Sequence, residues 1–388
     1  MELVEKIVAD ILRKLDISLL FITEYPIGLK SRVQQISEFI DDQSSKVCML
    51  GIWGMGGSGK TTTAKAIFNQ IHREFEGRTS FVKSIREVCD NNSKGIIHLQ
   101  QQLLLDLLQI KQEIHSIASG ITKIEERLRG QKVFVILDDV TTSEQLKNLC
   151  ADPKLFGSGS VLIITTRDVS LLKSLSSDHI FTMTEMDGDQ SLELFCWHAF
   201  QQSNPREGFS ELTKKVVGYC GGLPLALEVL GSYLSKRKKQ EWRSALSKLK
   251  KIPRVEVQQK LRISYDGLED CTEKDIFLDI CCFFIGKKRA DVTEILNGCG
   301  LYADIGIGVL IERSLVKVDQ NNKLQMHDLL RDMGRAIVGE TSFKEPAKHS
   351  RLWFHDDVND VLLKKSVRTC EHPLKFYQDY KILSFFLG

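Results

Sequence analysis

A chain of 388 residues exceeds one ordinary domain and predicts two or three, each large enough to bury its own core. Its 27% charged and 42% hydrophobic residues are those of a globular protein, and 53 basic against 51 acidic residues leave a formal charge of +2, without the basic excess of a nucleic-acid binder. Ten cysteines with no CxxC pair argue against zinc or a redox dithiol and for a reducing, cytoplasmic compartment, and no apolar run reaches the ~18 residues of a membrane span.

In chain order, Leu3, Val4, Ile7, Val8, Ile11, Leu12 and Leu15 recur at helical spacing among charged residues, predicting an amphipathic linker helix within 1–25. Pro26 breaks that pattern, and a short helix is expected over 33–40. An apolar run over 47–53 then reads as a buried strand, 54–59 as a tight loop and 61–72 as a helix. Gly54, four residues, Gly59, Lys60 and Thr61 match the phosphate-loop pattern GxxxxGKT in the strand–loop–helix setting that pattern requires. Across Gly54, Met55, Gly56, Gly57, Ser58 and Gly59 the backbone N–H groups can approach phosphate oxygens, because glycines leave nothing in the way. The helix start at Thr61 and Thr62 adds unpaired N–H groups and a partial positive charge aimed at the same anion. Lys60 is placed to reach the β and γ phosphates of ATP or the terminal phosphate of ADP, and the Thr61 hydroxyl to hold Mg²⁺.

A second strand is expected over 78–85 and a helix over 96–110. The run 132–140 has the form of a central parallel strand, apolar until it ends in Asp138 and Asp139 at the edge that faces a binding crevice. Asp138 is a candidate Mg²⁺ ligand, and Asp139 a candidate for orienting the attacking water. Residues 160–167 repeat the arrangement and end in Thr165, Thr166 and Arg167, whose guanidinium could report on the γ-phosphate or form a surface pair with Asp168. A short strand over 179–184 and a helix over 187–200 close a P-loop domain spanning 26–200.

Beyond residue 200 the strand–helix alternation stops. Helices over 209–219, 225–234 and 241–249 make up a helical domain, 201–252, with Pro224 at a helix start where its missing N–H is harmless. The basic cluster at Lys236, Arg237, Lys238 and Lys239 reads as a solvated loop. Four further helices, 255–264, 272–284, 291–296 and 303–313, precede a hairpin around the polar turn 319–322. They predict a winged-helix domain over 253–340, in which Asp328 stands where a helix N-cap is expected. Residues 341–388 read as a tail without periodicity. The fold class is therefore an α/β P-loop NTPase domain with a parallel sheet, followed by a helical domain and a winged-helix domain.

Taken in order, Gly54 to Thr61, Leu137–Asp138–Asp139–Val140, Ile163 to Arg167, Gly222–Leu223–Pro224–Leu225 and Met326–His327–Asp328 resemble the NB-ARC module of plant nucleotide-binding leucine-rich-repeat disease resistance proteins. The segments 194–200 and 277–284 resemble the subclass with a TIR domain in front, although Thr141 stands where that subclass often has Asp and Val161 where Arg is usual. The resemblance implies that Ile27 and Gly28 contribute to an adenine pocket, that Pro224 lies against adenine or ribose, and that His327 approaches the β-phosphate of ADP. It also implies an ADP-bound resting state, an ATP-bound active state, slow hydrolysis, a role in defence signalling and a cytoplasmic or nucleo-cytoplasmic location. The chain begins at what resembles the linker after a TIR domain and ends before any repeat. Those domains would then be missing, and other immune-receptor chains would be its partners, with oligomerisation on activation. Neither a membrane nor a specific nucleic acid is expected as a partner. A different class of reading is a P-loop kinase or motor ATPase turning over at ~1 to 10³ per second on a separate substrate. DNA binding through 303–313 would need a basic face, and that segment carries Asp304, Glu312 and only Arg313.

Overall fold

Apolar runs become one parallel sheet made of β1 (Cys48–Trp53), β2 (Thr79–Val82), β3 (Phe134–Val140), β4 (Val161–Thr166) and β5 (His179–Thr182), in the order β2-β3-β4-β1-β5. The computed structural model describes residues 19–43, 45–150, 153–175, 177–249, 255–340 and 350–351. The expected helix around 3–15 and most of the expected tail lie outside them. The described chain divides between Met186 and Asp187 into two compact units.

In the first unit the strands are apolar on both faces because helices cover both. Alternate residues of β3 point opposite ways. Val135 and Leu137 pack with Leu99, Leu103 and Leu104 of α4 (Gly95–Leu108), which follows α3 (Ile85–Asn91), and with Ile124 and Leu128 of α5 (Ile117–Leu128). Phe134 and Ile136 pack instead with Val33, Ile36 and Ile40 of α1 (Leu29–Asp42) and with Ala64, Ile67 and Phe68 of α2 (Lys60–Ile71). The remaining helices of this unit are α6 (Ser143–Cys150) and α7 (Val169–Ser174). Val161, where an arginine was expected by resemblance, pairs with both β1 and β3 and is 4% exposed, so a charge there would have to be buried.

Several boundaries differ from the sequence expectation for local reasons. The strand expected over 78–85 ends at Val82, because Ser84 adopts a left-handed backbone (φ 52°) that ends the strand and starts α3. Helices α3, α6 and α7 are too short to show a clear period, α5 was not anticipated although Gly120, Ile124 and Leu128 recur on its buried face, and α1 starts at Leu29, behind Gly28, rather than at 33.

The second unit begins at Asp187, so the helix α8 (Gly188–Phe200) falls in it, whereas the helical domain was expected from residue 201. That helix follows the last strand, which makes it look like part of the sheet domain. Its aromatic residues pack elsewhere. Phe195 and Phe200 lie 5.8 and 5.5 Å from the Trp242 ring of α11 (Lys239–Leu249), and the indole N–H donates to the Leu234 carbonyl at 3.0 Å. Leu234 ends α10 (Pro224–Leu234), which approaches α8 closely at Gly231, where an added Cβ would meet His198 Cβ at 2.7 Å. Before α10 comes α9 (Ser210–Cys220), and after α11 comes α12 (Val255–Asp266).

The winged-helix portion follows. It comprises α13 (Cys271–Asp279), continued by a π-helical turn at Ile280–Phe284, then α14 (Arg289–Gly298), α15 (Ala303–Glu312), the hairpin β6 (Lys317–Val318) and β7 (Leu324–Gln325), and α16 (Asp328–Glu340). The wing is braced by an antiparallel bridge between Lys288 and Lys323. This unit also draws on a residue beyond 340. Arg351 is buried, pairing with Asp279 at the end of α13 and, at 3.0 Å, with Asp275. Among the described residues no helix is long and apolar enough to cross a membrane.

Candidate functional site

Parallel pairing puts the ends of β1, β3 and β4 on one edge of the sheet, and the phosphate loop starts there. After Trp53 the chain turns through Gly54 to Gly59, with positive φ at Gly57 (80°) and Gly59 (92°), and enters α2 at Lys60. A side chain at Gly54 would meet Met183 Cβ at 2.8 Å, so glycine is needed for that close approach. Lys60 is buried, and its Nζ donates to the carbonyls of Gly54 at 2.8 Å and Met55 at 2.9 Å, spanning its own loop. Burial, with Arg167 adding repulsion, lowers the Lys60 ammonium to about 7 against the opposing pull of Asp139 and Asp138.

Asp138 is the centre of a hydrogen-bonded set. Its Oδ1 accepts from Thr61 Oγ1 at 2.8 Å and from Thr165 Oγ1 at 2.7 Å. Burial pushes its carboxyl up, and these donors oppose the shift. A hydroxyl and a carboxylate oxygen at this spacing suit a hard cation that takes its remaining oxygens from phosphates and water, so Thr61 and Asp138 fit Mg²⁺.

Asp139 stands apart from its neighbour. The β3–β4 register slips between Leu137 and Val140, and Asp139 sits in that irregularity with φ 59°, a left-handed conformation that is uncommon for a residue other than glycine. Its N–H donates to Thr165 Oγ1 at 2.9 Å. Its carboxylate faces two guanidinium groups: Oδ2 accepts from Arg86 Nε at 3.0 Å, and Oδ1 lies 3.5 Å from Arg167 Nε. Sequence spacing suggested that Asp139 orients a water, yet in this structure its oxygens are committed to ion pairs. Asp168, the alternative partner considered for Arg167, is buried rather than at the surface and caps α7 by accepting from Ser170 N at 2.9 Å. The Arg167 carbonyl accepts from Trp53 Nε1 at 3.2 Å, which ties its backbone to the end of β1.

Gly28, at φ 70°, introduces α1 just after Ile27. One turn on, Arg32 donates to the Thr184 carbonyl at 2.9 Å, while the neighbouring Met183 N–H donates to the Trp53 carbonyl at 2.7 Å. This anchors the turn bearing Ile27 and Gly28 to the segment that runs beside the phosphate loop.

In the second unit Pro224 opens α10, as expected, behind the left-handed pair Gly221 and Gly222. His327 corrects an expectation. The cap of α16 is its ring, with Nδ1 accepting from Leu329 N at 3.1 Å, whereas the Asp328 carboxylate turns to Arg331 at 2.7 Å. An acceptor at Nδ1 requires the proton on Nε2, which then donates to the Gly221 carbonyl at 3.1 Å. One ring thereby joins the turn before Pro224 to the last helix of the winged-helix portion.

Arg86 and Ser84 were not anticipated. Ser84 lies where the sequence read as a continuing strand and Arg86 just past it, and the only signal was two polar residues beyond an apolar run in a P-loop sheet.

The depressed Lys60 ammonium leads to a measurable consequence. Its value in the folded chain lies below the unfolded value of 10.5, so above pH 7 the protein sheds this proton and a bound phosphate must restore it. Calorimetric titration with nucleotide in two buffers of different ionisation heat should show more proton uptake at pH 8 than at pH 6. Equal uptake at both pH values would remove Lys60 from the phosphate site.

Comparison with known proteins yields two family matches, to the NB-ARC domain over residues 29–205 and to the winged-helix domain described as "Disease resistance protein Roq1-like" over residues 270–342. The chain is 42% identical over 352 residues to "Disease resistance protein RUN1" of Vitis rotundifolia, covering 90% of this chain and 26% of that protein. It is 38% identical over 343 residues to "TMV resistance protein N" of Nicotiana glutinosa, covering 87% of this chain and 29% of that one. The chain thus spans little more than a quarter of the length of these curated relatives. A Walker-type ATPase of Pyrococcus abyssi shares the fold, with a TM-score of 0.56 at 14% identity over 83% of this chain and 99% of that one.

Proposed function

Because the chain belongs to the plant disease-resistance NB-ARC family, with an NB-ARC domain over 29–205 and a Roq1-like winged-helix domain over 270–342, we propose that this nucleotide-binding module is a switch, ADP-bound when off and ATP-bound when on. The observation that carries the proposal is the set around Asp138. Thr61 from the phosphate loop and Thr165 from β4 converge on one carboxylate oxygen, beside a lysine held over the loop. Such a site grips a polyphosphate tightly. Thr61 and Asp138 would hold Mg²⁺, which would supply charge neutralisation to the bound phosphates. Lys60 binds the phosphate, and Arg167 meets the third phosphate. The commitment of Asp139 to two arginines, rather than to a water, fits slow hydrolysis.

A nucleotide can shift a two-state equilibrium only by its differential affinity for the two states, and a shift from 1:99 to 99:1 needs ~5.5 kcal/mol. His327 is proposed to contribute by approaching the β-phosphate of ADP, with Pro224, Ile27 and Gly28 lining the base and ribose. Partners are then the domains or other receptor chains that read the switch, with oligomerisation on activation in the cytoplasm. A DNA-reading role has little to support it, since the exposed residues at the start of α15 are Tyr302, just before it, and Asp304 and Ile305 within it.

The test is to identify the nucleotide released when the purified chain is denatured. Near-stoichiometric ADP is expected, and it should dissociate faster from His327→Ala, which also loses a helix cap worth ~1 kcal/mol of stability. An empty protein that turns over ATP at ~1 per second or faster would indicate a kinase or motor ATPase instead.

A further inference from the structure

We propose that Arg86 is a positioning residue for the third phosphate: it holds Asp139 as a counter-ion shared with Arg167, so that Asp139 does not pair with Arg167 alone. This deepens the proposed function and rests on Arg167 being the group that meets the γ-phosphate. Three adjacent strands contribute one charge each. Arg86 follows β2, Asp139 ends β3 and Arg167 follows β4, giving a cation–anion–cation row along the crevice edge. The two contacts are unequal, at 3.0 Å for Arg86 and 3.5 Å for Arg167. Arg86 is further steadied by Asp90 one helical turn away at 3.5 Å.

Backbone geometry supports a built arrangement. Asp139 at φ 59° and Ser84 at φ 52° are both left-handed, neither is glycine, and they stand at the ends of neighbouring strands joined by the pair Val82 and Leu137. Conformations of that kind persist where the surroundings over-determine them. Here the left-handed Ser84 starts α3, so that Arg86, two residues on, donates to Asp139.

A carboxylate paired with two guanidiniums cannot hold both as tightly as it would hold one. A third phosphate, arriving with its own negative charge, therefore draws Arg167 toward itself, while Arg86 keeps Asp139 in place. Without Arg86, Asp139 pairs with Arg167 alone. The γ-phosphate must then compete with an undivided counter-ion, whereas the phosphates of ADP are held by Lys60 and the loop.

The experiment is calorimetric titration of the full chain with ADP and with a non-hydrolysable ATP analogue, each with Mg²⁺, for Arg86→Ala, Arg167→Ala and the double variant. Arg86→Ala is expected to lose ~10-fold in analogue affinity and less than ~2-fold in ADP affinity, and to have no further effect once Arg167 is alanine. Asp90→Ala removes only the outer partner and should leave both affinities unchanged. Should Arg86→Ala fail to fold, Arg86→Lys serves in its place, since it keeps the charge but loses the fixed fork of donors, and a selective loss for the analogue is again expected. If the two arginine effects add independently in the double variant, or if ADP and analogue suffer equally in Arg86→Ala, the inference is overturned while Arg167 keeps its role. If Arg167→Ala itself leaves the preference between the two nucleotides unchanged, the role of Arg167 fails, and this inference fails with it.

Discussion

Replacement of Lys60 by alanine is expected to lower ADP affinity by ~100-fold or more, because a charge-assisted contact to phosphate in a buried loop is worth ~1.5–3 kcal/mol and one ammonium can make several. The folded chain should survive the change. Burial lowers the Lys60 ammonium to about 7 from 10.5, so at neutral pH and below the folded state bears a cost for the charged form that the unfolded chain does not. Alanine removes that cost, though the carbonyls of Gly54 and Met55 lose a donor. These changes oppose each other, and the melting temperature without nucleotide should move little. The contrast appears on adding ADP. At a concentration 100 times the wild-type dissociation constant, ligand stabilises the wild type by ~2.7 kcal/mol but a variant bound 100-fold more weakly by only ~0.4 kcal/mol. A variant that melts normally and gains as much from ADP as the wild type does would rule out the phosphate-loop assignment.

Arg351→Met should be the most damaging single change in the second unit. The Arg351 and Asp279 side chains are 2% and 0% exposed, and removing one partner of such a pair typically costs ~3–5 kcal/mol because the other charge is stranded. Burial pushes the Asp279 carboxyl up to about 7, with Arg351 opposing the shift, so losing the arginine raises it further. The sign of the pH effect follows. A carboxyl raised in the folded state binds a proton there before the unfolded chain does, so stability falls as pH rises through a window from about 4 to 7 in the wild type, and in the variant that fall continues above 7. Urea unfolding of Arg351→Met should therefore show a smaller loss at pH 5 than at pH 8, and Arg351→Met with Asp279→Leu should recover most of it. An equal loss at both pH values would mean that packing by the arginine stem, rather than the stranded charge, explains the effect.

Much of the site was legible because its chemistry is contiguous. Gly54 to Thr61 form a single loop and helix start, whose backbone geometry is dictated by neighbours a few residues away, and the apolar run ending at Asp138 and Asp139 carries its own direction toward the crevice. Arg86 was illegible because its partner is 53 residues distant and the contact depends on β2 lying beside β3. Helix α8 was assigned to the sheet domain because sequence order places it after the last strand, while its partners Trp242 and Gly231 lie 30 to 50 residues further on. The α16 cap fell to His327 because Asp328 found Arg331 three residues along its own helix.

By itself, then, the order of residues determined the class of fold, the phosphate loop and the two acids, since local spacing and hydrophobic period decide what short stretches become. Tertiary structure decided how those groups are used. Strand order sets Asp139 between Arg86 and Arg167, and a register slip with a left-handed residue turns its carboxylate toward them. The physical reason is that charges and hydrogen bonds act through space at ~3 Å, and chain folding, not chain distance, chooses which groups come that close.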